Sequence, residues 1–234
     1  MKICTDACIL GASVEVKNAK KILDIGTGTG LLAMMMAQRT NAEIEAVEID
    51  ESAYNQAVTN IQNSIFKDKI KVFHERVQDF RQEAKGKRQD ENSNTYHLPL
   101  TTYHLIISNP PFYQNSLQSL DNQANTAIHA VELTFEELVE AVARLLNSDG
   151  RFVVLLPPFE TEQLSQISAK FGLFVNHQLQ IKHDKSKPVF RIITTFSRMQ
   201  LPDYQVVMLI IWEEDGKFYS EDFREIMKDY YTVF

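Results

Sequence analysis

The hydrophobic residues in the first third of the chain fall into short runs separated by longer mixed segments. Residues 20–25 form an apolar run that ends at glycines, and residues 31–39 contain the helix formers Leu, Ala, Met and Gln. Residues 44–49 form a second apolar run, residues 51–64 a second helical segment, and residues 69–74 a third run. This order predicts strands that alternate with helices, which is typical of a parallel sheet.

The middle of the chain extends this pattern. Residues 103–108 and 151–156 are apolar runs typical of buried strands, and residues 134–146 between them are helical. Thr134 stands at the cap position of that helix and Glu137 three residues after it, which predicts a capping box. The chain therefore continues the alternation of an α/β fold.

The last third of the chain is rich in residues that favour strands. A helical segment at residues 159–171 is followed by strand candidates at residues 173–182, 189–198 and 206–212. The sequence HDKSKP joins the first two of these candidates. We therefore predict a hairpin at this position.

Length and composition favour one soluble domain spanning residues 1–234. A chain of this length that is 44% hydrophobic can bury a sizeable core. Residues 81–102 are polar and charged without apolar periodicity, which predicts a mobile surface loop. Residues 1–19 contain only a short, interrupted apolar run, so they predict neither a signal nor a membrane segment. We expect a cytoplasmic monomer that contacts no membrane.

Charge and cysteine content exclude some classes of protein. The formal net charge is -7, so no global field attracts nucleic acid, and a polyanion would have to meet a local basic patch. Cys4 and Cys8 are too few to supply the four ligands of a structural zinc site, and we expect no metal. The absence of a disulfide framework from the sequence fits a reducing compartment.

The turn after the first strand has the composition of a ligand-binding loop. It contains Asp24, Gly26, Thr27, Gly28 and Gly30. Small residues allow the backbone to approach a ligand closely, and a helix N-terminus follows directly. The third glycine comes one residue too early for the dinucleotide fingerprint, which argues against a nicotinamide cofactor. A tight turn without any ligand would have the same composition.

An acidic residue lies at the end of the second strand. Glu48 follows Gly30 by 18 residues, a position where an acid can accept hydrogen bonds from a ribose diol. This arrangement suits any nucleoside cofactor, although a solvated acid is the simpler alternative. The glycine turn and Glu48 together favour a nucleoside site.

Candidate chemistry follows the fourth strand. Asn109, Pro110, Pro111 and Phe112 stand directly after it, where open α/β sheets bind ligands, and Tyr113 comes next. An exocyclic amine needs acceptors for both of its N–H groups, which the Asn oxygen and a proline carbonyl can supply. Phe112 and Tyr113 offer faces for a base removed from its stack. A plain turn is the alternative, because Asn-Pro and Pro-Pro are common in loops.

These motifs carry a family resemblance. DIGTGTG and VEID resemble motifs I and II of class I methyltransferases, and NPPF resembles the signature of enzymes that methylate planar amines. The segments KICTDACILGA, LIISNPPFYQNSL and YSEDFREIMKDYYTVF resemble the bacterial tRNA1(Val) (adenine(37)-N6)-methyltransferase family over almost the whole chain. The resemblance implies an enzyme that transfers a methyl group from S-adenosyl-L-methionine to the N6 amine of adenine in tRNA.

The same resemblance implies a fold and a cofactor site. The fold would be Rossmann-like, with a mostly parallel seven-stranded sheet, helices on both faces and one antiparallel late strand. Asp24 would lie near the amino-acid part of the cofactor, Glu48 would hold the ribose hydroxyls, and backbone near Val77 would contact the adenine. The N-terminal segment, residues 1–19, would line the pocket. The full cofactor set is Thr5, Asp6, Asp24, Gly26, Thr27, Gly28, Gly30, Glu48, Ile49, Val77 and Asn109.

Basic residues near the predicted hairpin are candidates for contact with RNA phosphates. A second group, around the third strand, contains Lys67, Lys69 and Lys71. Charged loops are usually only solvated, which is the alternative for both groups. The candidate substrate-binding set consists of residues after the fourth strand and basic residues of the hairpin: Phe112, Tyr113, His129, Lys182, Lys185, Lys187 and Arg191.

Other functions are compatible with the same motifs. A glutamine-N5 methyltransferase that acts on a protein such as a release factor would hold a side-chain amide in the same way, although that family has NPPY. An amino methyltransferase acting on rRNA or DNA is a further alternative. A non-catalytic nucleotide-binding module would keep the glycine turn but would have no use for Asn109 to Phe112.

Overall fold

The predicted alternation of strands and helices is present in the computed structural model, which describes residues 4–80, 102–111, 133–213 and 216–232. The strands are β1 (Lys21–Ile25), β2 (Glu43–Glu48), β3 (Ile70–His74), β4 (Tyr103–Ser108), β5 (Leu146–Leu156), β6 (Phe174–Lys182), β7 (Val189–Ser197) and β8 (Gln205–Ile210). The helices are α1 (Thr5–Ser13), α2 (Leu31–Arg39), α3 (Glu51–Gln62), α4 (Phe135–Leu145), α5 (Pro158–Lys170) and α6 (Glu221–Met227). Nearly all of the predicted loop at 81–102 lies outside the described residues.

The described strands form one sheet in the order β3-β2-β1-β4-β5-β7-β6-β8. β1 pairs in parallel with β2 and β4, and β4 pairs in parallel with β5. β7 runs antiparallel to both of its neighbours, as expected for the late strand. The predicted α/β fold is confirmed. Each of the eight strand candidates corresponds to a strand of the sheet, and β8, which pairs in parallel with β6, makes the sheet one strand larger than the seven that the family resemblance implied.

Hydrophobic side chains cover both faces of the sheet. Successive residues of β4 point to opposite sides, so Leu105 and Ile107 lie in one core cluster and Ile106 lies in the other. The first cluster is closed by residues of α1, α2 and α6, and the second by residues of α4 and α5. A central strand that is buried on both faces explains why β4 reads as a continuous apolar run.

The predicted capping box at the start of α4 is confirmed. The backbone N–H of Glu137 donates to Thr134 Oγ1 (3.2 Å), and the N–H of Thr134 donates to Glu137 Oε2 (2.9 Å). The hydrogen bond from the Thr134 N–H lowers the pKa of the Glu137 carboxyl, and burial opposes this effect only in part. α4 therefore begins at a fixed point and packs its apolar face against the sheet.

The direction of the strands places several loops at one edge of the sheet. β1, β2, β4 and β5 are parallel, so the segments that follow them emerge at their shared carboxyl edge. β6 is antiparallel to β7, which is antiparallel to β5, so the connection from β6 to β7 lies at the same edge. The glycine turn, Glu48, Asn109 and the late hairpin thus share one edge.

Two classes of feature are not found in the part of the chain that the structure describes. None of its helices is both long and apolar enough to cross a bilayer. Its His, Cys, Asp and Glu side chains include no group of three or more arranged to hold a metal ion.

Candidate active site

The glycine turn is bound to the end of β2. The N–H groups of Gly26 and Thr27 both donate to the Val47 carbonyl, at 2.9 and 3.2 Å. Gly26 has φ 68°, and a Cβ placed on it would meet no atom within 4 Å, so the turn borders open space. Gly30 has φ 83° and lies close to Ile61, where a Cβ would come within 3.2 Å of the side chain. The backbone here is both left-handed and closely approached, which favours glycine.

Asp24 is fully buried beneath this turn. Its Oδ2 accepts hydrogen bonds from Thr27 Oγ1 (2.6 Å) and from the Ala33 N–H (3.1 Å). Its Oδ1 has no partner among the described residues. Burial raises the pKa of the Asp24 carboxyl to about 7, against the lowering effect of the two hydrogen bonds and with a small contribution from the charge of Glu48. Asp24 Oδ1 is therefore an acceptor that is not engaged by any described residue.

Glu48 is held by three backbone N–H groups. Gly28 donates to its Oε2 (2.8 Å), and Ile49 and Asp50 donate to its Oε1 (both 2.9 Å). These bonds join the glycine turn to the start of α3. Each carboxylate oxygen has two lone pairs, so Glu48 keeps acceptor capacity for a ligand hydroxyl.

Ile49 is 40% exposed at the edge of this region. Its carbonyl is 3.0 Å from His74 Nε2, and the His74 ring stacks on Tyr54 with a centroid distance of 5.0 Å. No sequence pattern indicated a role for His74, because the contact joins residues that are 25 positions apart. The stack fixes the backbone that follows Glu48.

Val77 is buried in the turn after β3, and an arginine from α4 holds that turn. Arg144 Nη2 donates to the carbonyls of Val77 (3.1 Å) and Gln78 (3.0 Å), and Nη1 donates to the carbonyl of Phe80 (3.1 Å). Sequence reasoning did not identify Arg144. Its charge lies on the mainly polar face of an amphipathic helix, which usually indicates only solvation.

Asn109 follows β4 directly beside β1. Ile25 and Ser108 are paired in the sheet, and Ser108 Oγ donates to the Ile25 carbonyl (2.9 Å). Asn109 Oδ1 is buried and has no hydrogen-bond partner among the described residues. Pro110 is buried and Pro111 is exposed. An unpartnered acceptor thus stands one strand away from the glycine turn.

Three predicted substrate residues, Phe112, Tyr113 and His129, lie outside the described residues. Four others lie at the β6–β7 hairpin, at the same edge of the sheet as Asn109. Those four are Lys182, Lys185, Lys187 and Arg191.

The predicted pocket residues of the N-terminal segment contact the C-terminal half of the chain. Asp6 Oδ2 accepts a hydrogen bond from Arg191 Nε (2.9 Å), and the Tyr231 hydroxyl lies 3.4 Å from Thr5 Oγ1. The structure thus brings Asp6 together with a predicted RNA contact. Arg191 has an acidic partner, which the sequence could not show because the two residues are 185 positions apart.

The chain matches a known protein family. The family model for the methyltransferase small domain matches residues 5–178. A protein of Dyadobacter fermentans named tRNA1(Val) (adenine(37)-N6)-methyltransferase is 41% identical, over all of this chain and 92% of its own length. A protein of the same name from Bacteroides thetaiotaomicron is 34% identical, over 99% of this chain and 90% of its own.

Solved structures share the fold at low sequence identity. A predicted O-methyltransferase from Agrobacterium tumefaciens superimposes with a TM-score of 0.68 at 19% identity, with 96% of each chain covered. A putative RNA methyltransferase from Pyrococcus horikoshii has a TM-score of 0.56 at 19% identity, with 83% of this chain and 82% of its own covered. These similarities support the fold assignment alone.

Proposed function

Because the chain belongs to the methyltransferase small-domain family, and within it to the tRNA1(Val) (adenine(37)-N6)-methyltransferases, we propose that it methylates the N6 amine of adenine in tRNA. The methyl donor is S-adenosyl-L-methionine. By analogy with the named relatives, we propose that the methylated nucleotide is adenine 37 of tRNA1(Val). We further propose that the enzyme is cytoplasmic and monomeric.

The residues at the carboxyl edge fit this donor. The open space beside Gly26 admits a ligand against the backbone, and the buried, unpartnered Asp24 Oδ1 is an acceptor for a polar or cationic group of it. Glu48 retains one lone pair, on Oε2, for a ribose hydroxyl, while its three backbone hydrogen bonds fix its orientation. When bound, S-adenosyl-L-methionine supplies an electrophilic methyl group.

The observation that carries the proposal is the buried Asn109 Oδ1 without a partner among the described residues. A buried acceptor left unpaired costs free energy, so it is retained where a ligand supplies the missing donor. The amine of adenine has two N–H groups, and Asn109 Oδ1 would accept one of them. The Pro110 carbonyl would accept the other.

These acceptors prepare the amine for attack. The amine lone pair is delocalised into the ring, and two hydrogen bonds to fixed acceptors help to localise it on nitrogen. The proline rings restrict φ, so the Pro110 carbonyl needs little ordering when the substrate binds. Ser108 Oγ, bonded to the Ile25 carbonyl, holds the end of β4 against β1 and so fixes Asn109 relative to the glycine turn.

The test identifies the methylated product. The protein is incubated with methyl-labelled S-adenosyl-L-methionine and separately with total tRNA, rRNA, DNA and a peptide release factor. The labelled products are digested to nucleosides or amino acids and identified by mass spectrometry. We expect N6-methyladenosine in tRNA, whereas labelled N5-methylglutamine or label confined to rRNA or DNA would overturn the proposal.

A further inference from the structure

Two stacked rings, one exposed and one half-buried, lie at the hairpin between β6 and β7. The rings of His183 and Phe190 stack with a centroid distance of 3.9 Å and an interplanar angle of 7°. The hairpin occupies the carboxyl edge of the sheet, as Asn109 does. We call His183 and Phe190 the hairpin ring pair.

The ring pair is supported from the protein side. Phe190 is partly buried and packs against the core, and the Arg191 guanidinium lies 5.6 Å from the centre of its ring. Asp6 holds Arg191 by the ion pair at 2.9 Å. The Trp212 N–H donates to the His183 carbonyl (2.8 Å), which fixes the backbone of the outer residue. The stack is therefore ordered before any ligand binds.

The outer member of the stack is open to solvent. His183 is exposed, whereas Phe190 beneath it is half-buried. A planar ring supported on one side and exposed overall offers a face for a further planar group. Nucleobases bind proteins in this way when they are unpaired.

The surrounding charge suits a nucleic acid backbone. Residues 182–187 contain three lysines and one carboxylate, in a chain with a net charge of -7, and the charge of Arg191 is paired with that of Asp6. The carboxylate, Asp184, accepts hydrogen bonds from the N–H and hydroxyl of Ser186, at 2.8 and 2.5 Å. The lysines of the hairpin therefore present a local positive patch for phosphate groups.

The distance suits a nucleotide near the target. In the sheet, β6 is separated from β4 by β5 and β7. Three strand spacings of about 4.8 Å separate β6 from β4 by roughly 14 Å across the sheet. The register places Ser108 level with Gln178, so His183 lies about 13 Å further along the strands than Asn109, and the two residues are roughly 19 Å apart. Base-modifying enzymes act on single-stranded substrate or take the target base out of its stack, so an unpaired base near the target is available when the adenine lies in a loop.

We propose that the hairpin ring pair is a stacking site for an unpaired base within a few nucleotides of the adenine that is methylated. His183 provides the contacting face, Phe190 supports it, and Lys182 and Lys187 lie beside the phosphates of the same strand. This inference rests on the proposed function, since it places the site relative to Asn109. It names a second point at which the enzyme holds its RNA.

Replacement of the exposed ring tests the proposal. His183→Ala should weaken binding of a stem-loop RNA carrying the target adenine by about 5-fold or more, which is typical for loss of one base–ring stack. His183→Phe should restore most of the affinity, because stacking needs a ring face and no charge. Tyr204→Ala, which removes a 47%-exposed ring near the opposite edge of the sheet, is the matched control and should bind as wild type does.

A modified RNA completes the test. An abasic nucleotide is placed in turn at each of the first few positions on either side of the target adenine. At one position it should weaken binding to the wild type and abolish the difference between wild type and His183→Ala. Fluorescence anisotropy gives the RNA affinity, and titration with S-adenosylhomocysteine verifies that cofactor affinity is unchanged.

Two results would overturn the stacking site alone: methylation of tRNA with equal RNA affinity in wild type and His183→Ala, or equal losses in His183→Ala and His183→Phe. If the wild type methylates no RNA, the proposed function fails, and this inference fails with it.

Discussion

Two polar side chains at the same edge of the sheet have opposite hydrogen-bonding states. Glu48, at the end of β2, accepts three backbone hydrogen bonds and so ties the glycine turn to the start of α3. Asn109, after β4, is fixed by the strand that precedes it, yet its buried Oδ1 has no partner among the described residues. The hydrogen bonds of Glu48 hold the backbone around it, whereas Asn109 Oδ1 is available to accept a hydrogen bond from a ligand.

The regions around Glu48 and Asn109 suit different ligands. The region of Glu48 is organised before a ligand arrives, which suits tight binding of a cofactor at a low ordering cost. The region of Asn109 leaves an acceptor unsatisfied, which is costly unless the substrate satisfies it. We therefore propose that the ends of β1 and β2 bind the cofactor and that the end of β4 acts on the amine.

The largest effect should follow from removal of the Asn109 side chain. Asn109→Ala should lower the single-turnover rate of methyl transfer by at least about 100-fold, because one fixed hydrogen-bonding group is lost. Asn55→Ala, at an exposed position on α3, is the matched control and should keep the wild-type rate. A rate for Asn109→Ala within a few-fold of wild type would mean that another group acts on the amine.

A smaller effect should follow at Glu48. Glu48→Ala should weaken S-adenosylhomocysteine binding by about 10- to 100-fold, the range for loss of hydrogen bonds to a charged group. Calorimetric titration measures this affinity. Glu43→Ala, at the exposed start of the same strand, should bind normally. Unchanged affinity in Glu48→Ala would remove Glu48 from the cofactor site.

A pH-dependent difference should follow at Asp24. Its pKa is raised from 3.8 to about 7 in the folded chain, mainly by burial. A carboxyl with a raised folded pKa contributes stability that is fully present below its unfolded pKa and is lost as pH rises to the folded pKa. The melting temperature of wild type should therefore fall relative to Asp24→Asn between about pH 4 and pH 7, by several degrees.

Ligand-free differential scanning calorimetry at several pH values measures this shift. Above about pH 7 the difference should be constant. Parallel curves for the two proteins from pH 4 to pH 7 would contradict the raised pKa.

The smallest effect should follow at Arg144. Arg144→Ala removes three hydrogen bonds to the turn that contains Val77, and it should weaken S-adenosylhomocysteine binding by a few-fold. The single-turnover rate at saturating cofactor should change less than the affinity. Lys170→Ala, at the exposed end of α5, is the control. A lower rate at saturating cofactor, with normal cofactor affinity, would mean that Arg144 acts on the methyl-transfer step and not on cofactor binding.

Local sequence patterns predicted much of this arrangement. The apolar run of β1, the glycines after it and the acid that ends β2 are close in sequence, and backbone preferences alone indicate their structure. The capping box of Thr134 and Glu137 is likewise local. The position of Asn109 could be predicted because parallel strands present their carboxyl ends at one edge.

Long-range contacts could not be predicted in this way. Arg144 binds carbonyls more than 60 positions earlier, and the pairing of Asp6 with Arg191 spans 185 positions. The contact of Arg191 with phosphate stays a prediction, and its ion pair with Asp6 is a contact that local patterns do not indicate. β8 also depends on long-range pairing, because it joins the far side of β6.

The division between the two regions is tested most directly by measuring S-adenosylhomocysteine affinity in Asn109→Ala and Glu48→Ala side by side by calorimetric titration. We expect wild-type affinity in Asn109→Ala and a loss of about 10- to 100-fold in Glu48→Ala. Equal losses in the two variants, or a loss confined to Asn109→Ala, would contradict this division.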